Sequence, residues 1–425
     1  MRPRTYNARM NDSSDVIILG GGVIGLACAH YLLKAGRQVR VIEQGTVGCG
    51  SSHGNCGTLT PSHAPPLAAP GAVGQALRWM FSPDAPFYVR PRLDPALARW
   101  LFGFARRCNA RDWLDTGVAK AQLLNTSRRL IEQLVREQAL DCEFSASGTV
   151  YVYRDPRQFA EAQADLPTLA RLSIRADTWD ARRLAAEEPA LLPGMAGALH
   201  FPGDASLRPD RYVAELARVV RAQGGTIEER CRVVGFEREG GRVGAVVTER
   251  GPRRARDVVF ALGAWSPTVG RQLGLRLPIQ PGKGYSITYS RPSPAPNRPL
   301  VLKERSVCVT TWASGFRLGS TMEFSGYDSR LNPVRLRALV RGAREYLHTP
   351  EGPKHIEDWY GWRPMTIDDL PFIGRAPGVD NLMLATGHGM LGVSMSAVTG
   401  HLVADLLTGH PPIVNPALCA PTRTL

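Results

Sequence analysis

Three glycines near the start of the chain, Gly20-x-Gly22-x-x-Gly25, are the first residues whose type and spacing could do chemistry. Gly20 permits a tight turn. Gly22 lets a pyrophosphate approach the backbone, and Gly25 lets a helix pack closely on a sheet. The backbone N–H groups of Val23 and Ile24 then open a helix whose positive end faces the phosphates. The pattern means little without its surroundings, and here they are present. Asp15–Leu19 is an apolar run that predicts a buried strand. Ile24–Lys34 predicts a helix closed by Gly36. Val39–Glu43 predicts a second strand, with Gln44 just beyond it. Glu43 can accept a ribose hydroxyl hydrogen bond, which disfavours a 2′-phosphate. The competing reading is a plain tight turn in an α/β protein; the βαβ context favours a dinucleotide.

A second glycine cluster lies at the far end of the chain: Gly387-His388-Gly389-Met390-Leu391-Gly392, before a helix predicted over Met390–Thr408. Its glycines permit close approach to a ligand, and the helix start presents partial positive charge. NAD and FAD share the N-terminal fingerprint. One such unit at the N-terminus, a long Gly/Ser-rich loop behind it and a distant C-terminal wall together point to FAD. His388 alone is more often structural than catalytic, but its place in this cluster makes it a candidate catalytic residue as well.

Elements must carry these pieces to one place. Residues 45–95 read as a long Gly-, Ser-, Pro- and Ala-rich loop. The 96–140 stretch reads as helical, with Leu123, Leu130, Ile131 and Leu134 on one face. Gly148–Tyr153 alternates as a strand. Pro209 opens a helix that buries Val213, Leu216, Ala217 and Val220 and ends at Gly224-Gly225. Strands follow at Arg242–Thr248, Asp257–Leu262, Tyr285–Tyr289 and Ser306–Trp312. The arginine-rich run Arg250–Arg256 reads as a solvated turn between two of them.

The 425 residues suffice for two domains. Apolar residues at 44% and charged residues at 21% exclude disorder, collagen and coiled coil. The formal charge is +14, carried by scattered arginines, since only five residues are lysine. That favours anionic partners, including anionic lipid headgroups, over a nucleic-acid patch. The eight cysteines form no C-x-x-C pair and there is no H-E-x-x-H, so neither a disulfide framework nor a metal is expected. Val16–Leu33 follows a short arginine-bearing N-terminus but reads as strand, turn and helix rather than an export signal. The expectation is a cytoplasmic protein, with Met10 a candidate start behind a nine-residue tail. Gly50-Ser51-Ser52-His53-Gly54 fits the hydrolase G-x-S-x-G pattern without its strand-to-helix setting.

In family order, several segments resemble the FAD-dependent D-amino acid oxidase/dehydrogenase superfamily, nearest its bacterial D-amino acid dehydrogenase branch. They are residues 16–25, Ser51–Gly57, Ala68–Gly71, Pro281–Ser286, Gly361–Thr366 and Thr386–Gly392. The resemblance implies an α/β fold with a Rossmann-like FAD-binding domain of discontinuous segments (10–95, 196–275 and 355–425). It also implies an α+β substrate domain on a mainly antiparallel sheet (96–195 and 276–354). It implies that Ser51, Ser52, Asn55, Cys56 and Gly57 lie along the pyrophosphate and flavin, with Thr58 beside the isoalloxazine. Val233 would pair with the adenine through its backbone, and Gly263 and Trp265 would line the nucleotide.

Arg363 is the expected carboxylate anchor, since a planar guanidinium holds a carboxylate by two parallel hydrogen bonds. Tyr285 is a second candidate for that carboxylate, and Lys283 is as well read as structural as near the flavin. The reaction implied is oxidative deamination of D-amino acids by hydride transfer to flavin N5, with electrons passing to a quinone or other carrier. Cyclic D-imino acids such as D-proline are the alternative substrates. Peripheral contact with the inner face of the cell membrane accompanies the quinone. The competing class, an RNA-binding flavoprotein, has the charge in its favour but no aromatic-basic motif.

Overall fold

The computed structural model describes residues 13–79 and 87–423. The expected N-terminal tail and the Met10 start lie outside them, as does part of the 45–95 loop. The described residues build two large sheets and a two-stranded one that pairs Thr58–Leu59 with Ala205–Ser206. In the first, Thr226–Glu228, Val39–Ile42, Ser13–Leu19, Gly251–Phe260 and Leu382–Thr386 run parallel, with Phe372–Arg375 antiparallel at the end. Val16, Ile17, Ile18 and Leu19 are fully buried, as a strand covered on both faces requires. The Val23–Lys34 helix covers one face together with the Pro209–Ala222 and Gly392–Thr408 helices, the last closed by Gly409 in the left-handed conformation. Val213, Leu216, Ala217 and Val220 are buried as their spacing predicts.

The second sheet has the strand order His355–Thr366, Ile279–Tyr289, Gly315–Phe324, Val307–Trp312, Leu300–Leu302, Thr149–Tyr153, Gly197–Phe201 and Asp177–Asp180. Phe87–Val89 is added in parallel to the Gly315–Phe324 strand. The pairs along this path are antiparallel except that joining Leu300–Leu302 to Thr149–Tyr153.

Several expectations need correction. Gly251–Phe260 is one strand, so the arginine-rich run is not a turn. Its side chains alternate in exposure, and Arg253 and Arg254 pair with Glu228, Glu237 and Glu239. Ladder pairing holds the backbone while the charges stay near water. Gly197–Phe201 and His355–Thr366 belong to the antiparallel sheet, although the expected division gave both to the cofactor domain. The C-terminal helix starts at Gly392, two residues after Met390. Within 45–95 lie a short strand, Thr58–Leu59, a 3-10 turn, Pro61–His63, and a helix, Ala72–Trp79.

Candidate active site

A cavity of about 700 Å³ runs between the two sheets. At one end it meets the first glycine cluster. Gly20 has φ +105°, and a Cβ there would lie 2.5 Å from Ala261 O. A Cβ on Gly25 would lie 1.9 Å from Gly20 O, so helix and strand touch only because position 25 is glycine. Gly22 is different: a Cβ there would meet nothing closer than Ser52 Oγ at 3.6 Å. The helix start above it carries no acidic residue in its first turn and no side-chain cap. The Val23 N–H donates to Ser52 Oγ at 3.2 Å. Such an end is free to take an anion. Glu43 is held by two backbone donors, Gly21 N–H at 2.7 Å and Gly45 N–H at 2.8 Å. Its carboxylate keeps lone pairs for a diol.

The 49–57 loop crosses from this end to the antiparallel sheet and is fastened there. Ser286 Oγ donates to Gly54 O at 2.9 Å. Buried Arg317 donates to His53 O at 3.1 Å and to Asn55 O at 2.7 Å. Ser51 Oγ donates to Trp362 O. Gly319 leaves room for the Cys56 thiol, which would lie 2.5 Å from a Cβ there. A hydrogen bond with Cys308, helped by Arg317 and Arg363, draws the Cys56 thiol below its ordinary pKa.

Arg363 enters the same cavity from the strand paired with Ile279–Tyr289. Its guanidinium lies across Gly284, where a Cβ would sit 2.4 Å from Cζ. Its Nη1 donates to Thr321 O. No carboxylate pairs with it among the described residues. Burial lowers the guanidinium pKa by withholding water from the charge. An anionic ligand would restore that lost solvation.

The cavity borders nearly all the expected cofactor residues. Gly20, Gly22, Val23, Ile24, Glu43, Gln44, Ser51, Ser52, Asn55, Cys56 and Thr58 line it. So do Val233, Gly263, Trp265, His388, Gly389, Met390, Leu391 and Gly392. Gly25, Gly57 and Gly387 shape the backbone beneath. A Cβ on Gly57 would lie 2.0 Å from Leu207 O, and one on Gly387 2.7 Å from Thr366 Cγ2.

Tyr285 does not fill its expected role. It borders the cavity, but Gly282 and Gly284 share the Arg363 face, and strand alternation puts the Tyr285 ring on the other. Its hydroxyl donates to Glu323 at 3.1 Å, and burial raises its pKa. Lys283 lies on that face too, donating to Arg330 O beneath the Tyr285 and Tyr360 rings. Buried His388 pairs its Nε2 with Thr399 Oγ1 at 2.9 Å, and burial pushes its pKa down to about 3. It is therefore neutral near pH 7. His63, Tyr151, Lys303 and Cys308 also line the cavity. Nothing in their local sequence signals this, because tertiary packing brings them together from the Pro61–His63 turn, two strands and the end of a third.

The profile described as FAD dependent oxidoreductase matches residues 15–406. The chain belongs to that family. It is an FAD-dependent oxidoreductase, and the glycine cradle, diol-facing Glu43 and C-terminal wall fit FAD. The chain is 34% identical over 406 residues to a D-amino acid dehydrogenase of Rhizorhabdus wittichii, covering 94% of this chain and 97% of that one. It is 35% identical over 410 residues to a D-amino acid dehydrogenase of Chromohalobacter salexigens, again covering 94% and 97%. Among solved structures, glycine oxidase from Geobacillus kaustophilus superposes with a TM-score of 0.79 at 23% identity, covering 98% of this chain and all of that one. L-proline dehydrogenase from P. horikoshii superposes with a TM-score of 0.70 at 19% identity over 94% of each chain.

Proposed function

We propose that this protein oxidises D-amino acids to 2-imino acids, which water converts to 2-oxo acids and ammonia, and that it passes the electrons to a quinone or other carrier rather than to oxygen. The observation that carries the reading is the Arg363 guanidinium held across Gly284 inside the FAD cavity, with no carboxylate partner among the described residues. The D-amino acid dehydrogenases that share a third of the sequence over nearly the whole chain support it.

Bound FAD supplies a two-electron acceptor at this site. Arg363 grips the α-carboxylate bidentately, fixing orientation as well as charge. The sheet face and the Gly387–Gly392 turn close around the substrate and exclude water. His388, neutral and hydrogen-bonded to Thr399, takes no proton; a substrate amine bound in its neutral form needs no side-chain base. Rate then comes chiefly from orientation.

No helix among the described residues is long and apolar enough to cross a membrane. Exposed Leu77, Leu93 and Phe102, with the net positive charge, support peripheral contact with an anionic, quinone-bearing membrane.

The test is anaerobic bleaching of the flavin band by a panel of D- and L-amino acids that includes D-proline, followed by air or a quinone. D-enantiomers should bleach it, and quinone should restore the colour faster than air. Bleaching by L-enantiomers alone would refute the reading, and D-proline as the sole reductant would move it to cyclic imino acids.

A further inference from the structure

We infer that Lys303 receives a second anionic group of the substrate, so that the preferred substrates are D-amino acids whose side chain ends in a carboxylate. This rests on Arg363 as the α-carboxylate anchor and deepens that reading.

The argument comes from sheet register. Ser286, Gly319, Cys308, Val301, Tyr151 and Leu199 stand directly opposite one another across successive strands. They therefore share one face, and Cys308, Val301, Tyr151 and Leu199 line the cavity. Two residues further along the same direction are Gly284, under the Arg363 guanidinium, and Lys303, just past the Leu300–Leu302 strand. Two cations thus stand at one level of one wall. Three strand spacings separate their positions, about 14 Å. With the Lys303 side chain standing upright from its position, a hydrogen-bond length at each end would leave roughly 8 Å for a ligand. A glutamate- or aminoadipate-length chain spans such a gap.

At Lys303 the charge has only the longer-range pull of neighbouring Glu304 to offset it. Lys120 pairs with Asp369 and Lys34 with Glu137, while Lys283 donates to the Arg330 carbonyl. No ion pair forms at Lys303 among the described residues. Its Nζ lies 5.1 Å from the Tyr151 ring centroid, and burial lowers its pKa. A partly desolvated cation on an aromatic face gains from an incoming anion. The facing helical wall contributes Asp165 to the cavity, which would favour a cationic side chain instead. The experiment must separate the two.

The flavin-loaded protein is assayed with an artificial dye acceptor against D-glutamate, D-2-aminoadipate, D-glutamine, D-alanine and D-lysine. The better of the two acidic substrates should exceed D-glutamine in kcat/KM by about tenfold or more. Lys303→Gln should bring that ratio to near one, and Lys303→Arg should restore it. A wild-type preference for D-glutamine or D-lysine, or an acidic preference that persists in Lys303→Gln, would overturn the inference. Turnover of neutral D-amino acids without acidic preference would overturn this inference alone. Turnover of no D-amino acid would overturn the Arg363 reading with it.

Discussion

Gly284 determines where the Arg363 guanidinium can lie. A single methyl at that position would fall 2.4 Å from Cζ, against the group that we propose positions the substrate. Gly284→Ala should therefore lower kcat/KM on the order of 10²-fold while flavin content stays at the wild-type level, since a displacement near 1 Å costs about that much in an oriented reaction. Steady-state assays beside the flavin-to-protein absorbance ratio check it; an unchanged kcat/KM would mean that the arginine does not act from above Gly284. The cofactor half of the site was legible in sequence because each glycine there has a local reason to exist. Arg363 was legible through its motif. Gly284 as the seat of that arginine was not, because its partner stands on another strand. The misplacement of Tyr285 has the same origin: alternation puts neighbours in sequence on opposite faces, and nothing local says which face looks inward.

At the scale of elements, the Pro61–His63 turn is tied to the antiparallel sheet by a buried polar cluster. Asp204 accepts from Ser62 N–H at 3.0 Å and from Ser62 Oγ at 2.6 Å. The Tyr151 hydroxyl lies 3.3 Å from Ser62 Oγ and 3.0 Å from His63 Nδ1. Burial, against the hydrogen bonds from Ser62, pushes Asp204 up to about 7, and burial with nearby Lys120 and Lys303 pushes His63 down to about 3. The two have opposite consequences for stability. An unfolded aspartate ionises near pH ~3.9, so between there and about 7 only the folded state keeps the Asp204 proton, and stability falls as pH rises. A histidine held neutral costs stability as pH falls below its unfolded pKa of ~6.5. Asp204→Asn, which cannot ionise, should melt increasingly above the wild type from pH 5 to about pH 7, with a steady gap from there to pH 8. Parallel melting temperatures across that range would show that Asp204 is not held protonated. Strands and helices with strong periodicity were readable in advance. The Gly251–Phe260 strand was not, because three arginines within residues 251–256 look like a turn until the glutamates that Arg253 and Arg254 meet on other strands are known.

For the whole molecule, the cofactor cavity exists only because distant segments converge on it. The N-terminal βαβ unit supplies the phosphate end, and the Gly387–Gly392 turn supplies a wall. The antiparallel sheet supplies Arg363 and Lys303. The presence of a Rossmann-like unit and an antiparallel sheet was foreseeable from the order of motifs, whereas the exchange of Gly197–Phe201 and His355–Thr366 between them was not, since pairing between strands tens of residues apart leaves no local trace. The central claim is that a guanidinium inside this cavity holds the substrate while playing no part in holding FAD. Anaerobic titration of Arg363→Ala with the best D-amino acid substrate tests it most directly. The account predicts a variant that is as yellow as the wild type and is bleached roughly 10²–10³-fold less effectively at a given substrate concentration. A yellow variant bleached as readily as the wild type, or one that has lost its flavin, would contradict it.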